Sequence, residues 1–494
     1  MLKLATWFIT KIEKVEHQKT YWAICEECEG RGKKRQRLSK KTKLNYQITL
    51  DKFKQGEGPE PLPVKGHLYS CLSCSGSGLV HSTHHPIADT KNYLHVAIIG
   101  GGIGGVALAV ACLHRGIPFT LYERDNSFED RSQGYGLTLQ QASKAIEGLG
   151  IFSLAEGVVS TRHLVHTPDG KVIAEWGMRT RMKADAKKSA KRTNIHIARQ
   201  TLRLALLEQL GGNNMVQWGH QLIGYNECDD KSINLKFQVN GEIKNAKADL
   251  IVGADGIRSA VRKLKIGDEI SPLRYLGCIV ILGICPLKAL AGIESSLLDS
   301  ATVFQTANGN ERIYMMPYTI DSIMWQLSFP MTEQDAKDLS SKGTHALKEE
   351  ACRRCQWHNP IPQILAATLE TQISGYPVYD RALLASELLE KGGSVTLIGD
   401  AAHPMSPFKG QGANQALLDA LALARGIYKG CRPLSQWRET GLRKSVLTDF
   451  ESEMLERSAV KVKDSEEAAH FLHSKIVLHE RDQTRGSCVC NSKA

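Results

Sequence analysis

A glycine-rich turn in the first quarter of the chain has residue types and spacing that bind a dinucleotide. The turn follows the short apolar run 96–99 and fits the pattern G-x-G-x-x-G, with its three glycines at Gly100, Gly102 and Gly105. The first glycine permits a tight turn, the second lets a pyrophosphate approach the backbone, and the third lets a helix pack closely on the sheet. The free N–H groups and the positive end of that helix would face the pyrophosphate.

An acidic residue completes the same pattern. A predicted helix and then a short predicted strand, 119–122, separate the turn from Glu123. This carboxylate stands about 20 residues after the glycines, where dinucleotide sites bind a ribose hydroxyl. Ile103 and Gly104 in the turn, and Arg124 beside the acid, complete the candidate contacts. Strand, helix, second strand and terminal acid together favour a dinucleotide site over a chance turn, without choosing between FAD and NAD.

A second glycine-rich stretch lies in the last fifth of the chain. A predicted strand over 395–398 is followed by an acid, a proline-containing loop and the start of an apolar helix. An acid at a strand end can bind a sugar hydroxyl, and a glycine-rich helix start presents free N–H groups to a developing negative charge such as that of a reduced flavin. The alternative is an ordinary strand–loop–helix connection. The candidate contacts here are Asp400, Pro407, Gly410, Gly412, Ala413 and Asn414.

Two further positions between these stretches are candidates. Arg199 opens a predicted helix over 199–210, where a guanidinium could bind a phosphate; an ordinary surface arginine is the alternative. Asp255 and Gly256 follow another apolar strand, at a small-residue turn that precedes a basic helix start.

Four cysteines near the N-terminus have the spacing of a metal site. Cys25 and Cys28 form one C-x-x-C-x-G-x-G motif, and Cys71 and Cys74 form a second. Two such pairs complete a closed tetrahedral site of the structural zinc type. The alternative is a set of disulfide bonds, which are rare in an intracellular protein of the kind expected here. The doubled motif resembles the zinc-binding repeats of DnaJ-type chaperones. Those have four repeats and two zinc ions, so one Zn²⁺ and no chaperone function is expected here.

Positive charge is concentrated in this same region. The formal net charge is +11, and residues 1–95 contain 16 lysines and arginines against 9 acidic residues, a net +7. Eight of these basic residues lie in the segment 31–43 between the two cysteine pairs. The segment could contact RNA or an acidic protein. A solvated hairpin tip is the favoured interpretation, because no aromatic side chains are interleaved for base stacking. Binding of a protein partner by the N-terminal zinc module is a further alternative.

Three motifs that follow one another along the chain resemble those of a known family. The glycine turn with Glu123, the segment Asp255-Gly256-Ile257-Arg258-Ser259 and the segment Gly399-Asp400-Ala401-Ala402-His403-Pro404 together resemble the single-component FAD-dependent aromatic hydroxylases, the p-hydroxybenzoate hydroxylase family. The resemblance covers about residues 94–430. It implies that the glycine turn and Arg199 bind the FAD diphosphate, that Glu123 binds the adenosine ribose, and that Asp400 binds the ribityl or pyrophosphate region.

The resemblance also implies the remaining roles and the reaction. Pro407 and the residues from Gly410 to Asn414 would surround the isoalloxazine ring, and Asp255 with Gly256 would serve FAD and the path of NADPH or NADH. The family reduces FAD with NAD(P)H and inserts one atom of O2 into an aromatic small molecule through a flavin hydroperoxide, in a pocket that excludes water. No catalytic acid or base is assigned, because His403 is as easily explained by loop packing. The region after residue 268 is also similar to the tetracycline-inactivating flavin monooxygenases.

The alternative function is a binding or scaffold protein that its zinc module directs, with a flavoprotein part that does not hydroxylate. The intact flavin motifs favour the enzyme. With 42% hydrophobic residues in 494, and without an apolar run of about 18 residues, a cytoplasmic protein of two or three domains is expected.

The predicted fold class is α/β: a Rossmann-like FAD-binding domain interleaved with a β-sheet substrate domain, C-terminal helices and a small N-terminal zinc-binding module. The predicted domains are the zinc module and linker (1–92), the FAD-binding domain (93–267 and 379–430), the substrate sheet (268–378) and the C-terminal helices and tail (431–494). Other predicted elements are helices over 106–115, 140–149, 332–339, 345–357 and 448–473, a hairpin over 163–176, strands over 216–225, 233–239, 275–286 and 301–330, an exposed basic excursion over 178–192 and a disordered tail over 481–494.

Overall fold

The computed structural model describes residues 20–131, 135–177, 194–391, 393–431 and 437–479. The predicted basic excursion over 178–192 and the predicted tail over 481–494 lie outside these ranges. The chain divides into two compact units, Met1–Ile87 and Ala88–Ala494. No helix within the described ranges has the length and apolar character that crossing a membrane requires.

The N-terminal unit contains two small antiparallel ribbons and one helix. Its elements are β1 (Tyr21–Ile24), β2 (Lys33–Arg35), α1 (Lys40–Lys54), β3 (Leu68–Ser70) and β4 (Leu79–Ser82). Strand β1 pairs with β4, and β2 pairs with β3. The basic segment 31–43 is therefore part strand, β2, and part helix, α1, rather than a hairpin tip. The helix begins after Ser39, which accepts a hydrogen bond from the Thr42 N–H at 3.1 Å. The segment from residue 79 to 92, predicted as a linker, begins with the paired strand β4.

The C-terminal unit contains both strands and α-helices, and its strands come first. They are β5 (Val96–Ile99), β6 (Phe119–Tyr122), β7 (Gly136–Leu139), β8 (Val158–Val159), β9 (Arg162–His166), β10 (Val172–Trp176), β11 (Ile195–Ala198), β12 (Val216–Gln217), β13 (Gln221–Glu227), β14 (Ile233–Val239), β15 (Glu242–Ala248), β16 (Leu250–Gly253), β17 (Leu273–Pro286), β18 (Thr302–Ala307), β19 (Arg312–Thr319), β20 (Ser322–Pro330), β21 (Ile373–Arg381) and β22 (Val395–Leu397).

Its α-helices pack on these strands. They are α2 (Ile103–Leu113), α3 (Arg199–Leu210), α4 (Ala260–Ile266), α5 (Glu333–Ser341), α6 (Gly343–Arg354), α7 (Ile361–Ala367), α8 (Ser386–Glu390), α9 (Gly412–Gly430), α10 (Trp437–Thr440) and α11 (Thr448–Phe471).

Two sheets organise this unit. A parallel sheet in the order β12-β6-β5-β16-β22 shares one apolar core with α2 and α9. Its inner strands β5 and β16 are apolar and buried along their whole length, as expected of strands covered on both faces. A seven-stranded mixed sheet has the order β10-β9-β18-β19-β20-β17-β21. One face of the mixed sheet packs on α6 and α7 around Trp325, which is fully buried. The predicted α/β class, with a Rossmann-like domain interleaved with a substrate sheet, is confirmed.

Two local features differ from the prediction, and a third agrees with it. The segment predicted as a helix over 140–149 forms two 3₁₀ turns, Gln141–Ser143 and Ala145–Leu149. Gly148 in the second turn is a poor helix former, and Gly150 ends that turn with φ of 81°. Strand β15 was not predicted. It is an exposed edge strand of sequence EIKNAKA that pairs with β14, so it lacks an alternating apolar pattern. The hairpin over 163–176 forms as predicted.

Candidate functional site

One cavity of about 780 Å³ extends from the glycine turn to the mixed sheet. It opens beyond the carboxyl ends of the parallel strands, where ligands bind in open α/β sheets. The predicted cofactor contacts that line it are Gly102, Ile103, Gly104, Arg199, Gly256, Asp400, Pro407, Gly410, Gly412 and Ala413. The glycine turn, the positions at Arg199 and Gly256, and the segment from Asp400 to Ala413 are far apart in sequence and all line this cavity.

The glycine turn fits a pyrophosphate. A Cβ on Gly105 would lie 1.9 Å from the carbonyl oxygen of Gly100, so only glycine lets α2 approach the turn this closely. A Cβ on Gly102 would lie 3.9 Å from Nη2 of Arg199. The guanidinium therefore faces the N-terminus of α2, and both groups favour an anion in the space between them.

The acid that follows strand β6 supports this turn. Glu123 is buried, and its Oε2 accepts a hydrogen bond from the Gly101 N–H at 2.6 Å while its Oε1 accepts one from the Asp125 N–H at 3.1 Å. The carboxylate and its neighbour Arg124 lie outside the cavity lining, so ribose binding by this pair remains a prediction.

The third stretch presents a helix start to the cavity. Residues Gly410 to Ala413 line the cavity at the N-terminus of α9, so its first N–H groups and positive end face the interior. Asp400 is surrounded by protein but exposed to the cavity. Burial raises the pKa of its carboxyl, and Asp419 adds to this effect, while His403 and Arg199 oppose it.

Asn414 and Asp255 support the wall through hydrogen bonds to the backbone. Oδ1 of Asn414 accepts from the N–H groups of Gln140 and Ala142, and its Nδ2 donates to two carbonyls, those of Thr138 and Gly410. Oδ2 of Asp255 accepts from the Ala260 N–H at 2.7 Å, at the start of α4. Neither residue, nor Gly100 or Gly105, is part of the cavity lining, and their direct contacts with a cofactor remain predictions.

Sequence reasoning missed two buried arginines that hold the site together. Arg203, on α3, donates from Nε to the Gly101 carbonyl at 2.7 Å. Arg262, on α4, donates from Nη1 to the carbonyls of Ala401 and Ala402 at 3.0 and 2.9 Å. Neither has a sequence signal, because a lone arginine on a predicted helix is usually on the surface.

A buried carboxylate on α9 links the Asp400 loop to the C-terminal helix. Oδ2 of Asp419 accepts from the Gly399 N–H at 2.8 Å and lies 2.7 Å from Nε2 of His403. Its Oδ1 accepts from Nη2 of Arg457 on α11 at 2.8 Å. Burial alone would lower the pKa of His403, but Asp419 and Asp400 raise it above the usual value. His403 is thus held in a buried ion pair rather than exposed in the cavity.

The mixed sheet and α11 form the opposite side of the cavity. Tyr314 and Met316 line it, whereas the apolar core behind the sheet contains Phe304, Met315, Trp325 and Phe329. Lys461, Asp464 and Leu472 reach it from the C-terminal helical segment. The helix predicted over 448–473 therefore packs over the cavity as well as on the FAD-binding side.

The four N-terminal cysteines converge as their spacing predicts. Their sulfur atoms all lie within 4.8 Å of one another, with Cys25 and Cys71 sulfurs 3.9 Å apart and Cys28 and Cys74 sulfurs 3.7 Å apart. A tetrahedral ion with Zn–S bonds of about 2.3 Å places its sulfurs about 3.8 Å apart. The cluster therefore fits one zinc ion.

Comparison with known proteins agrees with this geometry. Residues 93–433 match the family described as FAD binding domain. Aurachin C monooxygenase/isomerase of Stigmatella aurantiaca is 31% identical over 338 residues, which are 68% of this chain and 81% of the relative. The 3-amino-4-hydroxybenzoate 2-monooxygenase PtnB3 of Streptomyces platensis is 28% identical over 346 residues, 69% of this chain and 80% of that protein.

A solved structure shows the same fold. Klebsiella pneumoniae HpxO, complexed with FAD and uric acid, superposes with a TM-score of 0.64 at 20% identity, over 80% of this chain and 95% of HpxO. The chain belongs to the FAD-binding-domain family of flavoprotein monooxygenases, and it is an FAD-dependent monooxygenase of the aromatic hydroxylase type.

The substitution Gly105→Ala tests the turn. We expect the purified protein to lose bound FAD and about 3 kcal/mol of unfolding free energy, because the new methyl group overlaps the Gly100 carbonyl. The flavin-to-protein absorbance ratio and thermal unfolding measure both effects. Gly224→Ala is the control, since its Cβ meets nothing within 4 Å. Full FAD occupancy in Gly105→Ala would contradict this account of the turn.

The substitution Asp419→Asn tests the buried ion pair. We expect a loss of about 3–5 kcal/mol, because His403 and Arg457 lose a buried partner. The pKa of His403 is raised above 6.5, so the pair stabilises the native protein fully below pH 6.5 and progressively less as pH rises through the raised value. Thermal unfolding from pH 5 to 9 should show this decline in the wild type.

The same decline should be absent from Asp419→Asn. The exposed Glu456→Gln, on the same helix as Arg457, is the control and should retain the wild-type profile. If Asp419→Asn kept both the stability and the pH dependence of the wild type, the ion pair would have no role.

Proposed function

We propose that this protein uses NADPH or NADH and O2 to insert one oxygen atom into an aromatic or polyketide-like small molecule. The observation that supports this most directly is the cavity, which joins the predicted FAD contacts at the glycine turn and α9 to a wall of the mixed sheet that includes Tyr314 and Met316. FAD, when bound, supplies the transfer of electrons from the nicotinamide and the activation of oxygen.

The protein's own residues position the reactants and exclude water. Arg199 and the start of α2 bind the diphosphate, Asp400 binds a hydroxyl of the cofactor, and the N-terminus of α9 stabilises negative charge on its ring system. The sheet residues Met316 and Met324 exclude water from the reacting ring. The names of the two relatives, which act on aurachin C and on an aminohydroxybenzoate, support an aromatic substrate. No observation favours the alternative of a scaffold protein.

Oxygen incorporation tests the proposal. We expect the yellow protein to oxidise NADPH or NADH faster in the presence of a substrate drawn from hydroxybenzoates, hydroxyquinolines and tetracyclines. With ¹⁸O₂ the product should gain one labelled atom, measured by mass spectrometry. Heat-inactivated protein and protein stripped of FAD are the controls. If every product lacked the label while nicotinamide was consumed, the protein would be an oxidase rather than a monooxygenase.

We also propose that the cluster of Cys25, Cys28, Cys71 and Cys74 binds one structural Zn²⁺. Supporting this, the Gly32 and Gly78 N–H groups donate to the sulfurs of Cys28 and Cys74, both at 3.2 Å. These hydrogen bonds stabilise thiolates, which are the metal-binding form. The site is closed, so its role is to fold the N-terminal unit rather than to take part in oxidation.

Metal analysis tests the zinc proposal. We expect about one zinc per chain, and loss of that zinc in the double variant Cys71→Ser/Cys74→Ser. The control is Cys228→Ser, which changes a partly exposed free cysteine of the other unit. FAD content should be the same in all three proteins, because the two units are separate. Full zinc content in the double variant would contradict the assignment.

A further inference from the structure

We infer that Met316 is a modification site of the enzyme. When no substrate fills the cavity, its thioether sulfur accepts the activated oxygen atom and becomes a methionine sulfoxide. This inference rests on the proposed function and goes beyond it, because it identifies the group of the protein that is oxidised when substrate is absent.

Met316 faces the cavity, whereas its neighbour in sequence faces the core. Met316 lies on β19, is 2% exposed and lines the cavity. Met315 belongs to the apolar core behind the sheet, since successive side chains of a strand point to opposite faces. Two thioethers of the same chemistry are therefore adjacent in the chain, and only that of Met316 lines the cavity.

The sulfur of Met316 lies near the start of α9, where the proposed function places the ring system of FAD. Its Sδ is 4.0 Å from Oγ1 of Thr138, and the Thr138 carbonyl accepts a hydrogen bond from Nδ2 of Asn414 at 2.9 Å. Thr138 lines the cavity, as do the residues from Gly410 to Ala413. Thr138 thus connects the thioether to the helix start that would stabilise negative charge on the ring.

The cross-strand partner of Met316 on β20, Met324, also lines the cavity, but its sulfur is engaged. The Gly136 N–H donates to Sδ of Met324 at 3.0 Å, and this contact occupies a lone pair that an incoming oxygen atom needs. A Cβ on Gly136 would lie 2.2 Å from Cε of Met316, so the terminal methyl group of Met316 packs on bare backbone. Of these two weak acceptors, Met316 keeps the freer sulfur, because its polar contact is the longer one.

The oxidation balances with the reactants that the proposed function already supplies. A thioether is soft and polarisable, and its sulfur forms a bond to one oxygen atom of O2 while the O–O bond breaks. The second oxygen atom leaves as water with two protons. The sulfur gives up two electrons, and NADPH or NADH supplies the other two through FAD, as in the oxygenation of an aromatic ring. Methionine sulfoxide then places a polar group on the cavity wall.

A bound substrate protects this sulfur. The proposed function places the reacting ring against Met316, so the substrate accepts the oxygen atom before the thioether can. The sulfoxide therefore accumulates when reduced enzyme meets O2 without a substrate, and this condition is the one to test.

Isotope labelling of the FAD-loaded enzyme tests the inference without nicotinamide or substrate. The flavin is photoreduced anaerobically with EDTA and then mixed with ¹⁸O₂ in the dark, repeatedly and with catalase present. Peptide mass spectrometry locates the label, with fragment ions that separate residue 315 from residue 316. The other methionines of the cavity lining are Met324 and Met405. We expect one ¹⁸O atom on Met316 and severalfold less on these two and on Met315.

Peroxide in bulk solvent should produce a different order of oxidation. Met215 is 42% exposed and should stay unlabelled in the photoreduction experiment. When H₂O₂ is added to enzyme whose flavin is oxidised, we expect Met215 to be oxidised before Met316, because susceptibility to an oxidant in solvent follows exposure.

Two matched variants separate the faces of β19. Met316→Leu keeps a similar side-chain volume and removes the sulfur, so the label at residue 316 should be lost while bound FAD is retained. Met315→Leu makes the same change on the core side and should leave the labelling of Met316 as in the wild type. Flavin absorbance and peptide mass spectrometry measure both variants.

Three results would overturn the inference: an unlabelled Met316 after repeated reoxidation of the flavin, another methionine of the cavity lining that carries as much label, or equal labelling of Met215 and Met316 despite catalase. Each can occur while ¹⁸O is still incorporated into an added aromatic substrate. Conversely, Met316 can be labelled when no compound of the substrate panel is oxygenated. Failure of this inference is therefore distinguishable from failure of the proposed function.

Discussion

The position of the Asp400 loop depends on one buried carboxylate, that of Asp419. Its two oxygens hold the Gly399 N–H, the His403 ring and the Arg457 guanidinium. Burying a carboxylate is costly unless its oxygens are bonded and its charge is paired. Here both conditions are met, and burial, which alone would raise its pKa, is outweighed by His403 and Arg457, so the pKa of Asp419 is lowered. The loop that places Asp400 in the cavity is therefore held by the hydrogen bonds of Asp419 to the Gly399 N–H and to His403.

This carboxylate also makes the C-terminal helix part of the site. The family match ends at residue 433, yet Arg457 on α11 supplies one of the two positive partners of Asp419, and Ser406 donates to the Ser465 carbonyl at 2.7 Å. The same helix contributes Lys461 and Asp464 to the cavity wall. A segment outside the shared domain thus both supports the Asp400 loop and lines the cavity.

The N-terminal unit is stabilised by a different principle. Its two C-x-x-C-x-G-x-G motifs form two equivalent hydrogen bonds with each other. The Cys25 N–H donates to the Gly78 carbonyl at 2.8 Å, and the Cys71 N–H donates to the Gly32 carbonyl at 2.9 Å. A Cβ on Gly32 would lie 2.1 Å from the Gly76 carbonyl oxygen, which explains why each motif needs its glycines. Apart from Val80, the cluster recorded in this unit consists of the four cysteines. The proposed metal ion would stabilise this unit in place of a larger apolar core.

The sequence predicted the features that depend on local pattern. The glycine turn, the C-x-x-C pairs and helix α3, whose bounds 199–210 agree with the prediction, are each specified by residues close together in the chain. Partners that are distant in sequence were missed. Arg203 meets the Gly101 carbonyl across 102 residues, and nothing near Arg203 marks it as more than a surface arginine.

Arg312 shows a different reason why sequence patterns are insufficient. Its Nε donates to Oε1 of Gln305 on the neighbouring strand β18, and this partner is found only when the strands β18, β19 and β20 are aligned. Local patterns thus predict where the cofactor binds, because the residues of each turn are close together in the chain. The groups that line the sheet side of the cavity come from cross-strand neighbours, and their register has to be known before their chemistry can be interpreted.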